Sequence, residues 1–149
     1  MITEQQLMDI AYIVGRSSHC VSLKVGALIV KDFRIISMGY NGTPSGYTNC
    51  DELWEGTCTE HSIWSHDNEI HAEMNAIAYA AKAGLTTDGC DMYTTTSPCR
   101  QCLKHMAPVG IKTIYFDSLY RATTEEQHFQ DKLYCESLGM SLVSMRDFE

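Results

Sequence analysis

The stretch His71-Ala72-Glu73-Met74-Asn75-Ala76-Ile77, followed by Ser97-Pro98-Cys99-Arg100-Gln101-Cys102, decides how this chain is read. His71 to Lys82 has the spacing of a buried helix, with Met74, Ala76, Ile77, Ala78, Ala80 and Ala81 apolar and Gly84 as its C-terminal stop. Pro98 stands where a second helix begins, and Cys99 to Ala107 continues it. Between them, Asp91 to Thr95 reads as a strand. Cys99 and Cys102 are three residues apart at a helix start. Both sulfurs therefore share one face, at the positive end of the helix dipole, which favours thiolates. His71 also lies at a helix start, so two helix N-termini can meet around one metal.

Working outward, Thr3 and Gln6 form a capping box, and Leu7, Ile10, Ala11 and Val14 recur at helical spacing, predicting a helix from about 4 to 17. Val25 to Val30 and Arg34 to Met38 are short apolar runs around the polar Lys31-Asp32, the pattern of a β-hairpin. Thr113 to Phe116 is a strand. A helix capped by Thr123 or Thr124 runs to Leu138, stopped by Gly139, and Ser141 to Met145 is a last short strand. The order α-β-β-α-β-α-β-α-β implies an α/β fold with a mixed sheet covered on both faces. Residues 39 to 68 are the least regular part. A loop of that length in a compact domain needs something to hold it, and it contains Cys50, Cys58, His61 and His66.

Global properties narrow the chemistry. The chain has 149 residues, a single-domain length, with 44% hydrophobic and 20% charged residues, as in an ordinary soluble globular protein. No apolar stretch approaches the ~20 residues that span a bilayer, so no membrane partner is expected. The N-terminus lacks the basic start and apolar run of a signal peptide, and a cytoplasmic location is expected. The seven cysteines are an odd number, which points to metal rather than to a disulfide framework. The formal charge of −8, with no run of Lys or Arg, disfavours a nucleic-acid strand and favours a small substrate. One or two cations are enough for a single phosphate.

Zinc in a catalytic site takes three protein ligands and keeps one position for water, and His71, Cys99 and Cys102 supply such a set. Glu73 can sit beside that open position, take a proton from water and hand it on. The full pattern is His-x-Glu, then 24 residues between Glu73 and Pro98, then Pro-Cys-x-x-Cys. It is the signature of zinc-dependent base deaminases. A structural zinc would want a fourth protein ligand at this point, where the sequence instead offers a base.

These motifs, with Lys24-Val25-Gly26-Ala27-Leu28-Ile29-Val30 and Gly39-Tyr40-Asn41-Gly42-Thr43-Pro44, make the chain resemble the deoxycytidylate (dCMP) deaminases over about residues 7 to 121. Cys20, Cys50 and the run from His61 to His71 make it most similar to those of the bacteriophage T-even type. The resemblance implies a cytidine deaminase-like three-layer αβα sandwich with a mixed five-stranded sheet, one deaminase domain over 1–149, and a zinc-pinned loop at about 43–68. It implies conversion of dCMP and water to dUMP and ammonia, feeding thymidylate synthesis, with Glu73 carrying the proton. A second, structural zinc would be held by Cys20, Cys50, His61 and Glu69. On the residues alone, Cys58, His19 and His66 remain rival donors nearby. Substrate contacts would come from Lys24, Asn41, Ala72, Ser97, Tyr120 and Arg121, and a regulatory nucleotide would lie near Asn41 and Gly42. The effectors implied are dCTP as activator and dTTP with magnesium as inhibitor, on a homo-oligomer, commonly a hexamer. If the chain is phage-encoded, the location is the host cytoplasm. Two alternatives stand beside this reading: a deaminase of another small nucleobase or nucleoside, and a non-catalytic zinc-binding protein.

Overall fold

The computed structural model describes residues 1–146; the end of the expected 1–149 domain lies outside the described residues. Its elements are α1 (Glu4–Gly15), β1 (Gly26–Lys31), β2 (Arg34–Tyr40), α2 (Cys50–Leu53), α3 (Thr59–Asn68), α4 (Ala72–Lys82), β3 (Asp91–Thr96), α5 (Arg100–Met106), β4 (Thr113–Ser118), α6 (Glu125–Ser137) and β5 (Ser141–Ser144). The five strands form one sheet in the order β2-β1-β3-β4-β5. β1 pairs antiparallel with β2 and β3, whereas β3, β4 and β5 are parallel. The mixed sheet follows from the opening hairpin, whose turn places Asp32 and Phe33 in the left-handed region.

Alternation along the strands divides the core into two layers. Leu28, Val30 and Tyr93 pack with Leu7, Met8 and Ala11 of α1 on one face. Ala27, Ile29, Met92, Ile114, Phe116 and Leu142 face α4, α5 and α6 on the other. This is the three-layer αβα arrangement. The second face is built for close approach. Alanines line α4 where it meets β2, and a Cβ on Gly39 would lie 2.3 Å from the Ala72 carbonyl oxygen and 2.5 Å from the Ala76 nitrogen. Only glycine lets α4 sit this deep.

The antiparallel and parallel pairings bring functional segments to one edge of the sheet. Gly26 pairs with Tyr40, and Ala27 with Thr94, so Val25, Asn41 and Thr96 share that edge. The C-terminal ends of β3 and β4 lie there too, the usual location of ligand sites in α/β sheets.

One correction concerns residues 39–68. The stretch is not a bare loop: it carries the one-turn α2 and the ten-residue α3. α3 reads Thr-Glu-His-Ser-Ile-Trp-Ser-His-Asp-Asn, polar almost all round, so it leaves no apolar stripe to find. Its start is capped by the Cys58 sulfur, which accepts from the His61 N–H. Two helix starts also shift. His71 and Cys99 are N-caps, with extended backbone, rather than helical residues. Among the described residues no helix is long and apolar enough to cross a membrane.

Gly39→Ala is expected to lower unfolding stability by about 1–3 kcal/mol, because the added methyl meets backbone that cannot rotate away. Urea denaturation of the two proteins checks this; an unchanged midpoint would show that α4 does not depend on the close approach.

Candidate metal centre and its cleft

N-cap residues are usually Ser, Thr, Asp or Asn, whose side chains satisfy the first helical N–H groups. His71 and Cys99 hold those positions on α4 and α5 and make no such bond. Their side chains turn to each other instead. His71 Nδ1 lies 3.5 Å from Cys99 Sγ and 3.3 Å from Cys102 Sγ. Zinc bonds of ~2.3 Å to sulfur and ~2.0 Å to nitrogen place such donors ~3.5 Å apart around a tetrahedron. The set therefore has the size and the donor chemistry for zinc. The segment before His71 is fixed by paired hydrogen bonds between Ile70 and Gly42, at 2.7 and 3.1 Å.

The protonation of the two sulfurs points the same way. The Cys102 thiol donates to Cys99 and His71 assists, holding Cys99 down at about 4. The same shared proton, together with burial, pushes Cys102 far up. His71 is raised in turn, chiefly by its hydrogen bond to Cys99. One proton does the work for which two thiolates want a divalent cation.

Glu73 is 4% exposed and follows His71 by two residues on the first turn of α4. Burial raises its carboxyl above the ordinary carboxylate range, with His71 pulling the other way. The Thr94 hydroxyl, from β3, reaches Glu73 Oε1 at 3.4 Å. A carboxyl raised and held in this way is suited to exchange a proton with a reacting group.

A cleft of about 450 Å³ opens over these residues. Ala72, Ser97, Asn41 and Tyr120 line it, as do Cys20 and Glu69. Asn41 is held rigidly: its Oδ1 accepts from the Val25 N–H and its Nδ2 donates to the Leu23 carbonyl, each at 2.8 Å. Ser97 Oγ accepts from the Tyr120 N–H at 2.8 Å. Lys24 is exposed and is not among the lining residues, although its neighbours Leu23 and Val25 are. Arg121 stands at the rim, donating to Ser22 Oγ at 2.5 Å, and Ser22 lines the cleft. The sequence reading missed Arg100, Thr123, Gln127 and Asp131, which form the wall on the α5 and α6 side. A smaller cavity of about 190 Å³ shares Asn41 and Glu69 with the cleft and is lined also by Tyr40, Gly42, Asn49 and Cys50.

A second donor cluster joins Cys20, Cys50, His61 and Glu69, whose ligand atoms all lie within 4.8 Å of one another. Cys50 Sγ is 3.3 Å from His61 Nε2, and Cys20 Sγ is 3.6 Å from Glu69 Oε1. Burial pushes the Cys50 thiol up to about 11. Glu69 Oε2 is buried without a hydrogen-bond partner. A cation would satisfy it, and four protein donors make a closed site of the structural kind. Trp54 packs edge-on against the His61 ring at 5.5 Å. His19, one of the rival donors, instead pairs with Asp51 at 2.8 Å.

The αβα fold, with histidine and two cysteines meeting at two helix starts beside a buried glutamate, defines the cytidine deaminase-like class of zinc hydrolases. The family model described as the cytidine and deoxycytidylate deaminase zinc-binding region matches residues 1–118. The chain is 40% identical to the deoxycytidylate deaminase of Enterobacteria phage T2, covering 76% of this chain and 79% of that one. It is 38% identical to the deoxycytidylate deaminase of Enterobacteria phage T4, covering 76% and 77%. Among solved structures, the dCMP deaminase of cyanophage S-TIM5, in complex with dCMP and dUMP, superposes with a TM-score of 0.78 at 34% identity, covering 97% of this chain and all of that one. The chain belongs to the deoxycytidylate deaminase family.

Cys99 and Cys58 are both solvent-accessible thiols. Iodoacetamide is expected to label Cys58 with or without a chelator, and Cys99 only once a chelator has removed zinc. Peptide mass spectrometry reads both. Equal labelling of Cys99 in the two conditions would show that it holds no metal.

Proposed function

We propose that this chain catalyses the hydrolytic deamination of dCMP to dUMP and ammonia. The observation that carries the reading is the buried Glu73 carboxyl beside the His71–Cys99–Cys102 donor set, in a cleft of nucleotide size. When bound by those three side chains, zinc supplies the Lewis acidity that brings the pKa of a water toward ~7. Glu73 takes the proton that water gives up and delivers it to N3 of the cytosine ring, while the oxygen adds at C4. Glu73, ionised again, then takes the remaining proton from the new C4 hydroxyl and passes it to the amine, and the C4–N bond breaks as the C4 carbonyl forms, releasing ammonia. Burial favours this cycle, because a raised carboxyl pKa makes the protonated form accessible. Backbone groups at Ala72 and Ser97 orient the exocyclic amine, and Asn41 meets the sugar from its braced position. Tyr120 closes the pocket. Arg121, at the rim, is better placed than Lys24 to meet the 5′-phosphate.

The finer assignments rest on the same family reading. Cys20, Cys50, His61 and Glu69 hold a second, structural zinc, supported by their mutual spacing and by the unpartnered Glu69 Oε2. The smaller cavity at Asn41 and Gly42 takes the regulatory nucleotide, dCTP activating and dTTP with magnesium inhibiting. The active form is a homo-oligomer, a hexamer. The exposed apolar side chains of β2 and α4, among them Met38, Tyr40 and Tyr79, support an assembly surface there.

Glu73→Gln is expected to lower turnover of dCMP by about 10³-fold while zinc content stays at the wild-type level. An ammonia-release assay on dCMP and deoxycytidine, with and without dCTP, tests substrate and regulation together. Preference for the nucleoside would overturn the dCMP reading. Metal analysis is expected to find about two zincs per chain, falling to about one in Cys50→Ser; a wild-type value of one would remove the second site.

A further inference from the structure

Arg100 lies inside the Cys-x-x-Cys motif, directly after Cys99, and its guanidinium is not free. It reaches across to α6, where Nη2 and Nε donate to a single oxygen of Asp131, Oδ1, at 2.8 and 3.1 Å. Gln127, one turn earlier on α6, donates to the same oxygen at 3.0 Å. The guanidinium also stacks on the Tyr134 ring, 4.0 Å from its centre. The Asp131 side chain is only 9% exposed, so its charge depends on these donors.

We propose that the Arg100–Asp131–Gln127–Tyr134 cluster is a positioning device for the metal-binding turn, and that α6 thereby sets the placement of Cys99 and Cys102. The inference rests on the reading of His71, Cys99 and Cys102 as the zinc site. Three features support a positioning role over simple adhesion. Arg100 is the first residue of α5, one peptide bond from the N-cap ligand Cys99, so any shift of its side-chain anchor is passed directly to that sulfur. The anchor fixes direction as well as distance: two nitrogens of one planar fork meet one oxygen, and the ring stack fixes the plane. α5 is only seven residues long and its N-cap side chain makes no capping bond, so its first turn lacks the usual brace. α6 provides the brace instead, from residues beyond the 1–118 span of the family match.

The test uses the full-length zinc protein and four variants: Arg100→Met, Arg100→Lys, the double variant Arg100→Met/Asp131→Leu, and His71→Ala to identify which phase of zinc release belongs to this site. Zinc release to a chromogenic chelator, kcat and KM for dCMP, and Tm are measured on each. Loss of an outer support of a metal ligand is expected to speed release from this site, and to lower kcat, by about tenfold, with KM nearly unchanged. Arg100→Lys, which keeps the charge but not the fork, is expected to recover part of both. The double variant leaves no unpaired buried charge, so its Tm is expected to return toward the wild type while release stays fast and kcat low. If the double variant instead recovers zinc retention and kcat along with Tm, the cluster is structural only and the proposal falls. An effect confined to KM also overturns it. A wild-type chain without zinc at this site would remove the underlying reading and the proposal together.

Discussion

Two sulfurs and an imidazole nitrogen crowded at the starts of two helices are the constraint on which the rest of the structure depends. In such a group the two sulfurs share one proton, which drives Cys99 down and Cys102 up. A divalent cation would take the place of that proton, and much of the fold can be understood as the means of bringing the donors together. The parallel β3–β4 pair delivers Cys99 from the end of a central strand. Gly39 lets α4 sink against β2, which carries His71 to the same edge. The short bridge between Gly42 and Ile70 fixes the last residue before it.

The apolar periodicities made the sheet and four of the helices legible in the sequence, because those elements have one buried side. α3 could not be found in this way. Its residues are mostly polar, and what organises it is contact with Trp54 and the donor cluster rather than a buried stripe. The donor set His71, Cys99 and Cys102 was legible by residue type and spacing, whereas Cys20, Cys50, His61 and Glu69 came only from the family resemblance, because on the residues alone Cys58, His19 and His66 were equal candidates; the structure gathers both groups of donors. The cleft wall was harder. Asp131 and Gln127 are one turn apart on α6, an ordinary helical surface pair until Arg100 is seen opposite them. Lys24 shows the reverse case. Leu23 and Val25 are tied by their backbones to Asn41 and line the cleft, whereas Lys24 between them is exposed.

The fold leaves the choice of substrate open. Guanine deaminases and a tRNA adenosine deaminase share it at about 20% identity or less, with quite different bases in view. What this chain has beyond the shared fold is 40% identity, over 76% of its length, to a phage deoxycytidylate deaminase, and a net charge of −8. Arg100 adds little free positive charge, because Asp131 neutralises it inside the cleft wall.

The second donor cluster has a meaning in polymer terms. Its members come from the turn after α1, the first residue of α2, the first half of α3 and the residue that ends it. A metal seated there would close three successive rings, the first from Cys20 to Cys50 and containing the whole β-hairpin, the others from Cys50 to His61 and from His61 to Glu69. Ring closure removes freedom from the unfolded chain much as a disulfide does. It does so with ligands that survive in a reducing compartment, where disulfides do not. A metal there would hold in place a polar segment with almost no apolar face of its own, without the extra core otherwise needed.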